Sequence, residues 1–129
     1  MKKIKVLAGG CFNKIHPGHL YFLIKAKALG DYLVVVLAHD RNNKKPYAIP
    51  AKERKKKLHE LRIADKIIIG HPTDFLETVK KVKPDIIALG YDQKLDKEMR
   101  KKIKKLKIKI VRINKLGNYS TIKIIRKSF

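Results

Sequence analysis

Two histidines, His16 and His19, stand three positions apart in the segment HPGH, after an apolar run and before a stretch with helical spacing. Pro17 is tolerated in the first turn of a helix, and Gly18 lets a ligand approach the backbone closely. The imidazoles could therefore face an anion at a helix N-terminus, where free N–H groups favour negative charge. Two imidazoles on a polyphosphate would stabilise the charge that develops on phosphorus during transfer. Ordinary helix capping is the alternative interpretation.

The sequence predicts no protein-built metal site around these histidines. Nothing near His16 and His19 completes a zinc shell. Cys11 is the single cysteine, which excludes an internal disulfide and a cysteine-built zinc site. We interpret Cys11 as a small packed residue rather than a nucleophile.

The sequence around these histidines alternates between predicted strands and predicted helices. Apolar runs bounded by glycine, proline or charged residues predict strands at 3–9, 32–39, 66–70, 84–90 and 108–113. Helical spacing and capping residues predict helices at 17–30, 51–64, 72–83, 95–107 and 118–128. Thr73 is the predicted N-cap of the third helix.

This alternation predicts an α/β fold: a single Rossmann-like domain over 1–129, with a five-stranded parallel sheet flanked by helices on both faces. Ligands of such sheets bind beyond the carboxyl ends of the strands, near the topological switch point. Almost every unusual polar residue of this sequence follows a strand. His39 and His71 do so and are further candidates for lining a pocket, whereas His59 is predicted to lie on the surface.

The balance of charge is strongly basic, with 33 Lys and Arg against 11 Asp and Glu and a net charge of +22. Such a balance favours a polyanionic partner, either nucleic acid or a phosphate-rich small molecule. A lysine-rich surface typical of some thermophiles is the simpler interpretation. No apolar run is long enough to span a bilayer, and the N-terminus lacks a signal-peptide core. We therefore expect a cytoplasmic protein without a membrane partner.

The segment GGCFNKIHPGH resembles the HxGH signature of the nucleotidyltransferase superfamily, in its cytidylyltransferase-like branch. ERKKKL, GYDQ and YSTIKI look like the other three landmarks of that branch and occur in the same order. The stretch from IGHPTD to GYDQKLD is similar to the archaeal FAD synthases. This resemblance implies transfer of AMP from ATP to FMN, with Mg²⁺ or another divalent cation accompanying the triphosphate.

The resemblance also implies roles for individual residues. The residues implied in catalysis are His16, His19, Lys44 and Arg54. The residues implied in nucleotide binding are Gly9, Gly10, Cys11, Phe12, Asn13, Gly18, Gly90, Asp92, Asn118, Ser120 and Thr121. Five of them also have a simpler interpretation: solvation for Lys44 and Arg54, an Asx turn for Asp92, and helix capping for Ser120 and Thr121.

One position departs from the family pattern. Relatives usually read TFD where this chain reads Cys11-Phe12-Asn13. Asn13 keeps a carbonyl oxygen and a similar shape but lacks the charge, and Mg²⁺ prefers carboxylate oxygen. The substitution therefore predicts either a metal held chiefly by the triphosphate or an altered activity.

Several functions remain open on these residues. The nearest alternative is a CTP-dependent glycerol-3-phosphate cytidylyltransferase, and a phosphopantetheine adenylyltransferase is a weaker one. A non-catalytic nucleotide sensor is suggested by Asn13. A nucleic-acid-binding module is suggested by the charge, but no helix concentrates arginine and no aromatic stripe is present, so nucleic acid is an unexpected partner. The resemblance implies a homodimer.

Overall fold

The computed structural model describes residues 3–115, which form five strands and four helices. The strands are Lys5–Gly10 (β1), Tyr32–Leu37 (β2), Lys66–Ile69 (β3), Ile86–Leu89 (β4) and Lys109–Arg112 (β5). The helices are Pro17–Ala28 (α1), Ala51–Glu60 (α2), Phe75–Val82 (α3) and Lys97–Lys105 (α4), and a short 3₁₀ turn spans Asp40–Asn42. The helix predicted at 118–128, with Asn118, Ser120 and Thr121, lies outside the described residues.

The five strands form one parallel sheet in the order β3-β2-β1-β4-β5. In register, Leu7 of β1 lies opposite Val34 of β2 on one side and Ile87 of β4 on the other. The chain adds strands outward from β1 towards β3 and then crosses to β4 on the other side. The topological switch point therefore lies between the carboxyl ends of β1 and β4, where sheets of this kind bind ligands.

Each face of the sheet is covered by two of the described helices. Side chains alternate along β2, so Leu33, Val35 and Leu37 pack on the face of α1 and α2, where Leu23 and Leu58 are buried. Val34 and Val36 pack on the opposite face, with Val79 of α3 and Ile103 of α4. The predicted α/β class and the parallel five-stranded sheet with helices on both faces are confirmed.

The start of α3 differs from the prediction. Asp74, not Thr73, is the N-cap, and its carboxylate accepts a hydrogen bond from the N–H of Leu76 at 2.9 Å. The N–H of Thr73 instead donates to Nδ1 of His71 at 3.1 Å. Because the ring of His71 supplies an acceptor for this N–H, Thr73 belongs to the preceding turn, and the helix begins one residue later than a Thr73 cap would place it.

None of the helices within residues 3–115 has the length and apolarity that a membrane crossing requires.

Candidate functional site

The two histidines of HPGH form the N-terminal cap of α1. Nδ1 of His16 accepts the N–H of Gly18 at 3.1 Å, and Nδ1 of His19 accepts the N–H of His16 at 3.2 Å. This reciprocal arrangement is a capping box with imidazoles in both positions. The rings stack with centroids 3.8 Å apart. The capping interpretation of these residues is therefore correct in the structure, and it leaves a second nitrogen on each ring for a ligand.

The capping bonds also fix where each neutral imidazole carries its proton. Since Nδ1 of both rings accepts a backbone N–H, the proton of the neutral form sits on Nε2. Burial, helped by the adjacent His16, lowers the pKa of His19 to about 4. His19 is thus a neutral Nε2–H donor at physiological pH.

A cavity of about 1160 Å³ opens in front of α1, and we call it the α1 cavity. Most of the predicted site residues line it, namely Gly9, Gly10, Cys11, Phe12, Asn13, His16, Gly18, His19, Gly90 and Asp92. Four lysines also line it: Lys14, Lys45, Lys57 and Lys115. The structure thus brings two imidazole donors and four cations to one cavity, which suits a polyphosphate.

Phe12 holds the loop between β1 and α1 in a strained form. Its φ is 52°, a left-handed conformation that costs a bulky residue about 1–2 kcal/mol. The ring lies against Gly10, where a Cβ would come within 2.9 Å of it, and against His19 at a centroid distance of 5.1 Å. Glycine is therefore needed at position 10, and the strain is stored beside the histidine pair.

Asn13 is buried and paired with a second amide, that of Asn43 in the loop after β2. Nδ2 of Asn13 donates to Oδ1 of Asn43 at 2.8 Å, and Nδ2 of Asn43 donates to Oδ1 of Asn13 at 2.7 Å. The N–H of Ile49 also donates to Oδ1 of Asn13 at 3.0 Å. The polar atoms of Asn13 are therefore engaged in joining two loops.

Arg54 lies behind the α1 cavity rather than in it. It is fully buried, and its guanidinium donates to the carbonyls of Ile49, Cys11 and Ala38 at 2.7, 2.8 and 2.7 Å. It also forms an ion pair with Asp40 at 3.0 Å, and this hydrogen bond lowers the pKa of Asp40. The alternative interpretation of Arg54 as a solvent-facing residue is wrong, because its side chain is fully buried. Its contacts indicate that it positions the surrounding loops, and the catalytic role implied by the resemblance stays a prediction.

Lys44 is exposed and does not line the α1 cavity, whereas its neighbour Lys45 does. Asp92 lies in the loop that follows β4, and Arg112 binds that loop by donating to the carbonyls of Gly90 and Gln93 at 2.8 and 2.7 Å. The roles of the residues that do line the cavity stay predictions.

Gln93 is a site residue that the sequence analysis quoted but did not single out. Its side chain accepts the N–H of Gly90 at 2.9 Å and donates to the carbonyl of Gly9 at 2.7 Å. It therefore joins the ends of β1 and β4 at the switch point. Its position as the last residue of the GYDQ segment is the sequence feature from which a role at the site could have been predicted.

A second cavity, of about 620 Å³, opens in front of α3, and we call it the α3 cavity. Apolar side chains line its floor: Leu7, Val36, Ile87, Leu89, Phe75 and Leu95. His39, Asn42 and His71 stand among its polar lining. Gly9, Gly10 and Gln93 line both cavities, so the two meet at the end of β1.

Residues 3–115 offer few side-chain ligands for a divalent cation. No group of three or more histidine, cysteine, aspartate or glutamate side chains is placed to hold a metal ion. Oδ1 of Asn13 already accepts two hydrogen bonds. The described residues therefore do not fit a metal held by the protein alone.

This chain is similar to known proteins over most of its length. A protein named FAD synthase from Thermoplasma volcanium is 47% identical, over 96% of this chain and 92% of its own. The FAD synthase of Methanosarcina mazei is 46% identical, over 84% of this chain and 76% of its own. A solved structure described as the lipopolysaccharide core biosynthesis protein from Thermoplasma volcanium shares 47% identity and a TM-score of 0.83, covering 90% of this chain and all of the other.

More distant structures share the fold alone. Pantothenate synthetase from Thermus thermophilus is 12% identical, with a TM-score of 0.57 over 97% of this chain and 64% of its own. The family model described as Cytidylyltransferase-like matches residues 7–127, which include the histidine pair and all five strands except the first two residues of β1. The resemblance read from HPGH and its companion landmarks is thus confirmed, and this chain belongs to the cytidylyltransferase-like family.

Proposed function

We propose that this protein transfers AMP from ATP to the phosphate of FMN, giving FAD and pyrophosphate. The observation that carries the proposal is the histidine pair at the start of α1, whose rings present Nε2–H donors in a cavity with four lysines. The choice of ATP and FMN is supported by relatives named FAD synthase that are 40–47% identical.

The reaction is an in-line transfer at phosphorus. A phosphate oxygen of FMN attacks the α-phosphorus of ATP, one P–O bond forms, and the bond to the leaving pyrophosphate breaks. The attacking phosphate is already ionised at neutral pH, so no general base is needed. Catalysis then consists of positioning and charge stabilisation.

His16 and His19 supply directed donors for the charge that develops on the phosphate oxygens. Because the pKa of His19 is lowered to about 4, its ring donates from Nε2 without changing protonation state near neutral pH. Lys45, Lys57 and Lys115 neutralise the polyphosphate, and the N-terminus of α1 adds the positive end of its helix dipole. In a water-poor site, each well-placed donor of this kind is worth about 10²–10³ in rate.

Mg²⁺ or another divalent cation belongs to the proposal as a companion of the triphosphate. Such cations neutralise phosphate charge and keep several waters, so they need few protein ligands. Asp92 is the carboxylate that lines the α1 cavity among residues 3–115. Asn118, Ser120 and Thr121 are further proposed phosphate contacts on the segment outside the described residues. A homodimer and a cytoplasmic location complete the proposal.

The test is pyrophosphate release across a grid of ATP or CTP against FMN, glycerol-3-phosphate and phosphopantetheine, with Mg²⁺. We expect turnover with ATP and FMN only, and FAD as the product by chromatography. His19→Asn keeps an acceptor near the position of Nδ1 but lacks Nε2–H, so it should lose about 10²–10³ in kcat. Turnover with CTP and glycerol-3-phosphate would replace the proposal by the cytidylyltransferase alternative. Light scattering that gives only a 14.9 kDa species would contradict the homodimer.

A further inference from the structure

The α3 cavity holds two histidines that the reaction described above does not use. His39 follows β2 and His71 follows β3, and both line the cavity. Like the histidines of α1, both accept backbone N–H groups at Nδ1, and Nδ1 of His39 accepts the N–H of Arg41 at 3.1 Å. Nδ1 of His71 accepts the N–H groups of Thr73 and Asp74 at 3.1 and 3.0 Å. Each neutral ring therefore carries its proton on Nε2.

His71 is held in place from both sides. Its own N–H donates to the buried hydroxyl of Thr78 at 2.9 Å, while its ring caps the turn that leads into α3. The turn that carries His39 is tied to the same region, since Nδ2 of Asn42 donates to the carbonyl of Pro72 at 2.9 Å. The two donors are thus fixed relative to each other before any ligand binds, which lowers the entropic cost of binding.

The lining of the α3 cavity suits a mostly apolar ring that carries hydrogen-bond acceptors at one end. A floor of leucine, valine, isoleucine and phenylalanine side chains suits an aromatic surface, and a few fixed polar groups give orientation. Its volume of about 620 Å³ lies within the range of roughly 300–1,000 Å³ found for small-molecule sites. The pyrimidine end of a flavin carries two carbonyl oxygens, which accept hydrogen bonds, beside one N–H, which donates.

We infer that the α3 cavity binds the isoalloxazine ring of the acceptor, and that Nε2–H of His39 and His71 donates hydrogen bonds to its pyrimidine end. This inference rests on the proposed function, which supplies FMN as the acceptor. The placement is consistent with the junction of the cavities at Gly9, Gly10 and Gln93, because FMN must bring its phosphate from one cavity to the nucleotide in the other. The carboxylate of Asp74, also in the lining, is an acceptor for the ring N–H.

The experiment uses substitutions that separate the two nitrogens of each ring. His39→Asn and His71→Asn place an amide oxygen near the position of Nδ1, so the capping bonds persist while the Nε2–H is lost. His59→Asn is the matched control, because His59 is exposed on α2 and lines neither cavity. Binding of FMN and of riboflavin, which lacks the phosphate, is followed by quenching of flavin fluorescence. The KM values for FMN and ATP are measured in parallel.

We expect each α3-cavity substitution to weaken FMN and riboflavin binding about 3- to 10-fold, as the loss of one neutral hydrogen bond implies. The KM for ATP and the Tm should stay at the values of His59→Asn. A rise in the KM for ATP would overturn the inference by assigning the cavity to the nucleotide. Riboflavin binding that is undetectable, or insensitive to both substitutions, would also overturn it, since the histidines would then contact the phosphate or nothing.

The failure of the proposed function gives a different result. If FMN and riboflavin bind through His39 and His71 but no FAD forms from ATP, the ring site stands and the proposed reaction falls. If the wild-type protein binds neither flavin, both fall.

Discussion

His19 shows how one side chain serves both the helix and the ligand. Its Nδ1 accepts the N–H of His16, and its pKa is lowered to about 4 by burial and by the neighbouring His16. Protonation would place a hydrogen on Nδ1 and replace this acceptor by a donor. The cap of α1 and the neutral state of the ring are therefore coupled.

A pH dependence of stability follows from that coupling. The pKa of His19 is about 4 in the folded chain and 6.5 in the unfolded chain, so between these values the unfolded chain binds more protons. The contribution of this residue to stability is fully present above pH 6.5 and is lost as the pH falls towards 4. We expect the Tm of His19→Asn, which does not titrate, to fall less between about pH 7 and about pH 4.5 than that of the wild type. Parallel falls in the two proteins would contradict this assignment.

Asn13 is the residue at which this chain departs from the family pattern. In the structure its amide pairs with the amide of Asn43. The N–H of Ile49 fixes the amide oxygen of Asn13 on one side, so its NH₂ group must face the oxygen of Asn43. An aspartate at position 13 would place a carboxylate oxygen opposite Oδ1 of Asn43, so two acceptors would face each other without a donor.

We therefore expect Asn13→Asp to destabilise the protein by about 1–3 kcal/mol, the cost of leaving a buried polar group unpaired. Its kcat with ATP and FMN should not rise. Asn43→Asp removes the reciprocal bond and should destabilise to a similar extent, which makes it the matched comparison in denaturant titrations. A variant Asn13→Asp that is equally stable and turns over faster would show instead that the family carboxylate was missing, as the sensor hypothesis requires.

Helix α2 is attached to the carboxyl edge of the sheet by Arg54. Its guanidinium binds the carbonyls of the first residues after β1 and β2, together with the carboxylate of Asp40. These loops carry Cys11 at the histidine site and Ala38 beside His39. A single buried cation therefore fixes the spacing between the two cavities.

Replacement of Arg54 by methionine should leave buried carbonyls unpaired and one carboxylate without its partner. The three carbonyls account for this cost, since Asp40 is exposed to solvent. We expect a loss of about 3–5 kcal/mol and a fall in Tm of about 10–20 °C, measured by thermal unfolding. Arg54→Lys should recover little of this, because one ammonium cannot reproduce the guanidinium fork. Lys55→Met, exposed on the same helix, is the control. An Arg54→Lys protein of full stability but raised KM for ATP would show that Arg54 touches substrate.

The elements themselves were predictable because their signals are local. The run YLVVVL is typical of a strand buried on both faces of a parallel sheet, and Gly30 and Pro84 mark the ends of other segments. The burial of Arg54 was not predicted, since ERKKKL has the composition of a solvated face. The spacing of Ala51, Arg54 and Leu58 along one helical stripe was the available signal, because two of the three are apolar. The pairing of Asn13 with Asn43 joins loops 30 residues apart and has no local signal.

For the molecule as a whole, the strand order accounts for the two-cavity arrangement. Because β1 lies in the centre of the sheet, its end at Gly9 and Gly10 borders β2 on one side and β4 on the other. The four histidines that follow β1, β2 and β3 all use Nδ1 to accept backbone N–H groups. One edge of the sheet thus presents a set of Nε2–H donors whose orientation does not depend on a ligand.

The net charge of +22 acts over the same edge through Lys14, Lys45, Lys57 and Lys115 of the α1 cavity. ATP and FMN are both anionic, so a positive electrostatic field raises the rate at which they encounter the protein. Salt screens this field, and its range is about 8 Å at 0.15 M and about 3 Å at 1 M. We expect kcat/KM for ATP to fall at least about tenfold between roughly 0.05 and 0.5 M KCl, while kcat changes little. Lys57→Gln should make this fall shallower, whereas Lys55→Gln, outside the α1 cavity, should not. A kcat/KM that is independent of salt would assign the charge to a solvated surface with no part in substrate capture.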